Sequence, residues 1–142
     1  MDTAKVEKLW KRFQQHMGYT DEEMKIFRSD PVKVKMVTES SDFVKTRIVA
    51  EVIEATGCHA QHKVGDKIVM NGNGQLLTAQ CPEKLCAFAV AALEPSINRI
   101  YERFIAHSDP EFKMEEVVQC HDIGLDKGGW GKIYMKVRVE KI

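Results

Sequence analysis

Neither sign of charge is in excess: 21 basic side chains face 21 acidic ones across 142 residues. A binder held by phosphate contacts needs a basic surplus, so the balance argues against a nucleic-acid partner. It argues equally against a polybasic membrane anchor. Long apolar runs are missing as well; none approaches the roughly 20 residues that span a bilayer. The opening Met1-Asp2-Thr3-Ala4-Lys5 has no apolar core behind it, so no secretory signal is expected. The expected setting is cytoplasmic, with no membrane and no nucleic acid. Cysteine is sparse, with four residues, which is not the density of a disulfide scaffold. In a reducing compartment such thiols stay free or bind metal. Internal repeats, heptads and low-complexity tracts are absent. A chain of this length buries roughly two thirds of its unfolded surface, so folding needs no metal or disulfide. The zero net charge is compatible with self-association.

What is present reads as an α+β chain. Val6, Leu9, Trp10, Phe13 and Met17 recur at helical spacing, and Gly18 is a natural stop. Thr20-Asp21-Glu22-Glu23 has the form of a capping box and opens a short second helix carrying Met24 and Phe27. That helix should end before Asp30-Pro31. Residues 32–38 are β-prone but short. Glu39-Ser40-Ser41-Asp42 is a polar break, which sets a helical N-terminal arm at 1–38 against an α+β domain at 43–142.

In that domain, residues 43–55 alternate as a strand, and Lys67 to Met70 form a second. Asn71-Gly72-Asn73-Gly74 is a hairpin-type turn and lacks the pattern of a phosphate loop. The long helix is predicted to start with Cys81 near its N-cap and Pro82 at its first position, with a kink or restart at Pro95. Asp109-Pro110 closes it. Val117-Val118 and Ile133 to Val139 are the last strands, joined by a loop at 124–131. The clean alternation from Ile133 to Val139 leaves one face solvated, as in an antiparallel or mixed sheet. The expected order is β-β-α-β-β behind the helical arm.

The chemistry-bearing residues fall in three clusters: Cys58-His59-Ala60-Gln61-His62, Cys81 to Cys86, and Cys120-His121-Asp122. Each lies at a junction between elements, where side chains can converge. Thiolates with imidazole suit a borderline metal, with zinc expected and iron as the alternative. Cys58, His62, Cys86 and Cys120 are the candidate ligands. His59, Cys81, His121 and Asp122 are candidates to substitute for them or to support them. Four ligands make a closed structural site, and three plus water leave room for Lewis-acid chemistry. For any one of these cysteines alone, the ordinary reading is a small buried hydrophobe.

The stretches Gly57-Cys58 with His62-Lys63-Val64-Gly65-Asp66, Leu85-Cys86 with Phe88-Ala89, and the Cys120 region before the last strand carry a resemblance. Residues from about 47 to 142 resemble a small bacterial and archaeal protein family with no assigned activity. Its first motif reads Cys-Pro-Ala-Gly-His-Lys-Val-Gly-Asp, and its second and third cysteines are followed by proline. Here His59, Ala87 and His121 take those proline positions, and Cys81 is an addition. The resemblance implies a shared Cys/His site and an N-terminal helical extension, and it supplies no reaction.

The leading expectation is a metal-binding accessory subunit or binding module, with the N-terminal helices meeting a protein partner or a second copy. A second is a cysteine-dependent enzyme, with Cys86 or Cys58 as thiolate, His62 or His121 as base and Asp122 as orienter. A third is an oligomeric interaction protein whose cysteines only fill the core. Trp130, in its flexible glycine-rich loop, is read as exposed or edge-packed, with a lid over the site as the functional alternative.

Overall fold

The computed structural model describes residues 2–39, 45–107 and 115–142. The chain divides into two compact units, Met1–Phe43 and Val44–Ile142.

The first unit is helical. Helix α1 spans Thr3–Met17, α2 Asp21–Arg28 and α3 Pro31–Thr38. Gly18 closes α1 at φ 70, and its N–H donates to the Gln14 carbonyl. The capping box forms as expected: Glu23 N–H donates to Thr20 Oγ1 at 3.2 Å and Thr20 N–H to Glu23 Oε2 at 2.8 Å. Trp10, 4 % exposed, packs edge-on to Phe13 and Phe27, with Arg28 lying 4.6 Å over its ring.

Residues 32–38 are not a strand. Asp30 caps α3 by accepting the N–H groups of Val32 and Lys33, and Pro31 occupies the first helical position. A cap plus a pre-set proline φ outweighs the weak β preference of three valines.

The second unit is a four-stranded antiparallel sheet with one long helix, an α+β fold. Strand β1 is Thr46–Thr56, β2 Lys67–Asn71, β3 Glu115–Gln119 and β4 Lys132–Lys141, in the order β2-β1-β4-β3. Helix α4, Ala87–His107, supplies the second layer. Ile48, Ala50 and Val52 of β1 join Ile68 and Met70 of β2 and Ile133, Met135 and Val137 of β4 in the core. Ala89, Leu93 and Ile100 of α4 complete it. The expected strand beginning at residue 43 starts outside the described residues, as does Asp109-Pro110. The expected polar break at 39–42 is described only at Glu39.

Beyond Val52 the register shifts by one residue against β4. Ile53 is the extra residue, 42 % exposed. Without that bulge Glu54 would face the core; with it, Ala55 does, opposite Ile133. The bulge thus carries the end of β1 to the site without burying a carboxylate.

Helix α4 starts later than expected and carries Pro95 inside it. It begins at Ala87, well after Pro82, because Cys81 is held in extended backbone against β2. It also runs through Pro95 without a break. The carbonyl that Pro95 orphans belongs to Ala91, and both residues are exposed, so water can satisfy it.

Ser96, 1 % exposed, donates its hydroxyl to Glu116 of β3, and Arg99 pairs with the same carboxylate. Burial pushes the Glu116 carboxyl up, but the Ser96 and Arg99 contacts together hold it below the ordinary range. A depressed folded pKa adds stability above the unfolded value and loses it as pH falls through the carboxylate range. Glu116→Ala should cost about 1–3 kcal/mol at neutral pH by leaving the Ser96 hydroxyl unpaired. Thermal melts from pH 7 to pH 3 should show a flatter acid limb for the variant than for the parent chain. Parallel limbs would remove Glu116 as a source of the acid dependence.

Candidate metal centre

Four separated segments meet at the end of the sheet where β1 leaves and β4 enters. Gly57 leaves β1 at φ 60, and a turn follows in which Gln61 N–H donates to the Cys58 carbonyl at 3.0 Å. Gln61 itself sits at φ 62, a conformation that glycine adopts without cost. The turn folds Cys58 and His62 toward one side. A second turn, Lys63 to Asp66, closes when Asp66 accepts the Lys63 N–H and donates its own to the Lys63 carbonyl.

His62 is buried, with one ring nitrogen hydrogen-bonded and the other facing a carboxylate. Nε2 accepts the N–H of Cys86 at 3.2 Å, and Nδ1 faces Asp66 Oδ2 at 3.8 Å. The imidazole therefore braces the backbone just ahead of α4. Cys86 stands at the head of that helix, its carbonyl accepting the first helical N–H, from Val90. The third thiol, Cys120, follows β3. Its backbone N–H donates to the Ile133 carbonyl, and its Sγ accepts the Ile133 N–H at 3.4 Å. The sulfur thus has a fixed place beside the start of β4.

A cavity of about 210 Å³ lies between these segments. Cys58, His62, Cys86 and Cys120 all line it. His59 and Asp122 line it too, with Phe88 and Trp130 at its edge, 63 % and 70 % exposed. The His59 and Trp130 rings lie 4.8 Å apart and 34° from parallel. Among the described residues no three His, Cys, Asp or Glu side chains are grouped as a ready-made ion site. The thiols stand around a void and do not converge on a point.

Two of the supporting candidates lie elsewhere. Cys81 accepts the Val69 N–H at 3.3 Å, and its thiol lies 3.3 Å from the Leu77 carbonyl, so it fastens the chain after β2 to the sheet. His121 is exposed and does not line the cavity; its backbone N–H reaches the Phe88 carbonyl.

Asp122 has a structural duty. Its Oδ1 accepts the N–H groups of Gly124 at 2.9 Å and Trp130 at 3.1 Å, and its Oδ2 accepts that of Gly131 at 3.4 Å. The Gly124 contact foremost, then those of Gly131 and Trp130, holds its carboxyl below the usual range against a modest desolvation penalty. Asp122 thereby ties both ends of the Trp130 loop to the cavity edge. As an enzyme's orienter it would need a histidine on its oxygens, and backbone groups hold them instead.

Sequence reasoning did not single out Lys132 for the site, nor the contact of Gly57 with Gly131. Lys132 lines the cavity from the first residue of β4. Gly131 packs its Cα face onto the backbone of Thr56 and Gly57. Only the pairing of β1 with β4 brings those residues together, and no local pattern announces it.

Searches for similarity found no matching family model, curated protein or solved structure.

Proposed function

We propose that this protein is a metal-binding module of the thiolate type, taking a soft or borderline divalent ion, zinc first and iron as the alternative, on Cys58, Cys86 and Cys120. One observation carries the reading: thiols from three segments separated by 28 and 34 positions line the same small cavity. Chance burial of small hydrophobes does not require that meeting. The set differs from the expected four ligands, because the Nε2 lone pair of His62 is already engaged by the Cys86 N–H. His62 braces the site, and the three sulfurs bind.

Loading must draw the sulfurs inward from the cavity wall. Cys58 and Cys86 both lie outside regular elements, where a side-chain rotation disturbs least. That movement costs part of the binding energy, so affinity should fall short of a fully preformed site. Ligation also requires thiolates, so uptake should release protons and weaken as pH falls.

Elemental analysis of protein purified without added metal, followed by zinc titration, tests the reading. About one equivalent of zinc is expected for the parent chain. Serine at position 58, 86 or 120 should each abolish stoichiometric binding, whereas Cys81→Ser should retain it. Equal zinc content in Cys58→Ser and the parent chain would refute the ligand set.

A second reading has a specific observation behind it. Cys86 heads a 21-residue helix and lines the cavity, where a substrate could reach its thiol. A cysteine enzyme would then show one fast-alkylating thiol near neutral pH, at Cys86. His62 gives this reading little help, since its nitrogen meets the Cys86 backbone and not the sulfur.

For partners, the helical unit exposes Met17, Ile26 and Val32, at 43 %, 71 % and 47 %. These residues support the proposed role of the N-terminal helices in meeting a protein partner or a second copy. Among the described residues no helix is long and apolar enough to cross a membrane.

A further inference from the structure

The geometry points to a small-molecule site that needs no ion: we infer that the cavity at the end of the sheet takes a small, uncharged aromatic molecule of one ring. The inference goes beyond the metal-binding reading and stands without it.

Most polar groups around the cavity already have partners within the chain. His62 accepts the Cys86 N–H on Nε2 and faces Asp66 with Nδ1. Asp122 spends its oxygens on the N–H groups of Gly124, Trp130 and Gly131. The Cys120 sulfur accepts the Ile133 N–H. Lys132 carries its ammonium 5.9 Å over the Tyr134 ring. Strand alternation puts Tyr134 on the opposite face of β4 from Ile133, which lines the cavity. A charged ligand would therefore lose its hydration without gaining a partner. Water is poorly served too, since a buried water wants about two to four polar partners.

What the cavity does offer is apolar and soft. Ala60, Ala89 and Ile133 stand on its wall with the sulfurs of three cysteines, and Phe88 and Trp130 flank its mouth. Thioether and thiol sulfur is polarisable and makes favourable contacts with aromatic rings. The rings of Phe88 and Trp130 add faces and edges on which a flat molecule gains more than a puckered one.

The size fits one ring. The cavity measures about 210 Å³, against roughly 150 Å³ for an apolar cavity that takes benzene. A ring would fill the space into which metal loading must draw the sulfurs, so ion and ring would exclude one another.

Three soluble single-ring probes test the inference on the full-length protein after chelator treatment, which keeps the result separate from the metal-binding reading. Phenol is uncharged and aromatic, cyclohexanol is uncharged and saturated, and benzoate is aromatic and charged. Each is titrated while backbone amide shifts are followed by NMR. Phenol should shift the amides of Cys58, Cys86, Cys120 and Trp130 along one saturable curve. Cyclohexanol should bind about three- to tenfold more weakly, the factor that aromatic contacts of this kind are worth. Benzoate should produce no saturable shift there. Ala60→Leu adds bulk to the wall from a half-buried turn position and should abolish the phenol response while the sheet amides keep their shifts. His121→Ala, which does not line the cavity, should respond as the parent chain does. The inference is overturned by a parent chain that phenol leaves unmoved, by cyclohexanol or benzoate binding as tightly as phenol, or by a folded Ala60→Leu that binds phenol like the parent. The comparison of probes needs no variant, so an Ala60→Leu chain that fails to fold leaves the test intact.

Discussion

Gly131→Ala should unfold the cavity end of the second unit. A Cβ at this position would be driven into the backbone of Gly57 and Thr56, with the Gly57 carbonyl nearest. Backbone has no rotamer to escape into, unlike a flexible side chain. The two strands are locked on either side of the clash, since Thr56 pairs with Lys132 one residue further on. Relief requires β1 and β4 to part where the Cys58 turn and the Trp130 loop begin. Overpacking typically costs about 1–3 kcal/mol, and a clash between two paired backbones belongs at the upper end or beyond. Denaturant unfolding should show that loss. Zinc binding should weaken even under conditions where the variant stays folded, because Cys58 moves with the strand end. Gly128→Ala is the internal control: a Cβ there meets nothing within 4 Å, although its φ of 92 carries its own strain. A Gly131→Ala variant as stable as the parent chain would show that the close approach of the two strands is not rigid.

The second large effect concerns His62. Alanine at this position removes a buried ring and leaves the Cys86 N–H without its acceptor. The lost acceptor alone costs about 1–3 kcal/mol, and the space left by the ring adds to it. Glutamine separates the two roles that an imidazole can play here. Its carbonyl oxygen can accept the Cys86 N–H near the place of Nε2, but it is a poor ligand for zinc beside thiolates. His62→Gln should therefore recover most of the stability that His62→Ala loses, and it should keep the full zinc stoichiometry. Chemical denaturation and metal analysis of the two variants check both statements. A folded His62→Gln that no longer holds zinc would make His62 a ligand after all.

The strands are legible in the sequence because their signals are local. Ile133, Met135 and Val137 alternate with solvated neighbours, and that period of two survives any tertiary context. Asn71 to Gly74 reads as a reversal because Asn71 Oδ1 accepts the N–H groups of Asn73 and Gln75 and Gly74 takes φ 79. Residues 32–38 show the opposite case. Valine-rich composition suggests a strand, but Asp30 and Pro31 together dictate a helix start, and both stand in plain view. Cys81-Pro82 resembles such a start and is not one. There a long-range contact prevails: the Val69 N–H on the Cys81 sulfur holds the segment extended.

For the site, residue type is legible and role is not. Cys58, His62, Cys86 and Cys120 stand out because thiols and imidazoles are rare and lie at element junctions. That His62 commits its lone pair to a backbone N–H, and that Asp122 commits its oxygens to a loop, depends on partners 24 and 2–9 residues away. No periodicity encodes such partners. The Gly57–Gly131 contact is of the same kind, fixed by the register of β1 with β4.

The proposed reading has three separated thiols sharing one ion, and metal-protected alkylation tests that sharing residue by residue. Native protein is labelled with iodoacetamide with and without one equivalent of zinc, and each cysteine is quantified by peptide mass spectrometry. Zinc should slow labelling of Cys58, Cys86 and Cys120 together, with a common dependence on zinc concentration, and leave Cys81 unchanged. Unaltered labelling at Cys58 and Cys86 with zinc present would contradict a shared ion.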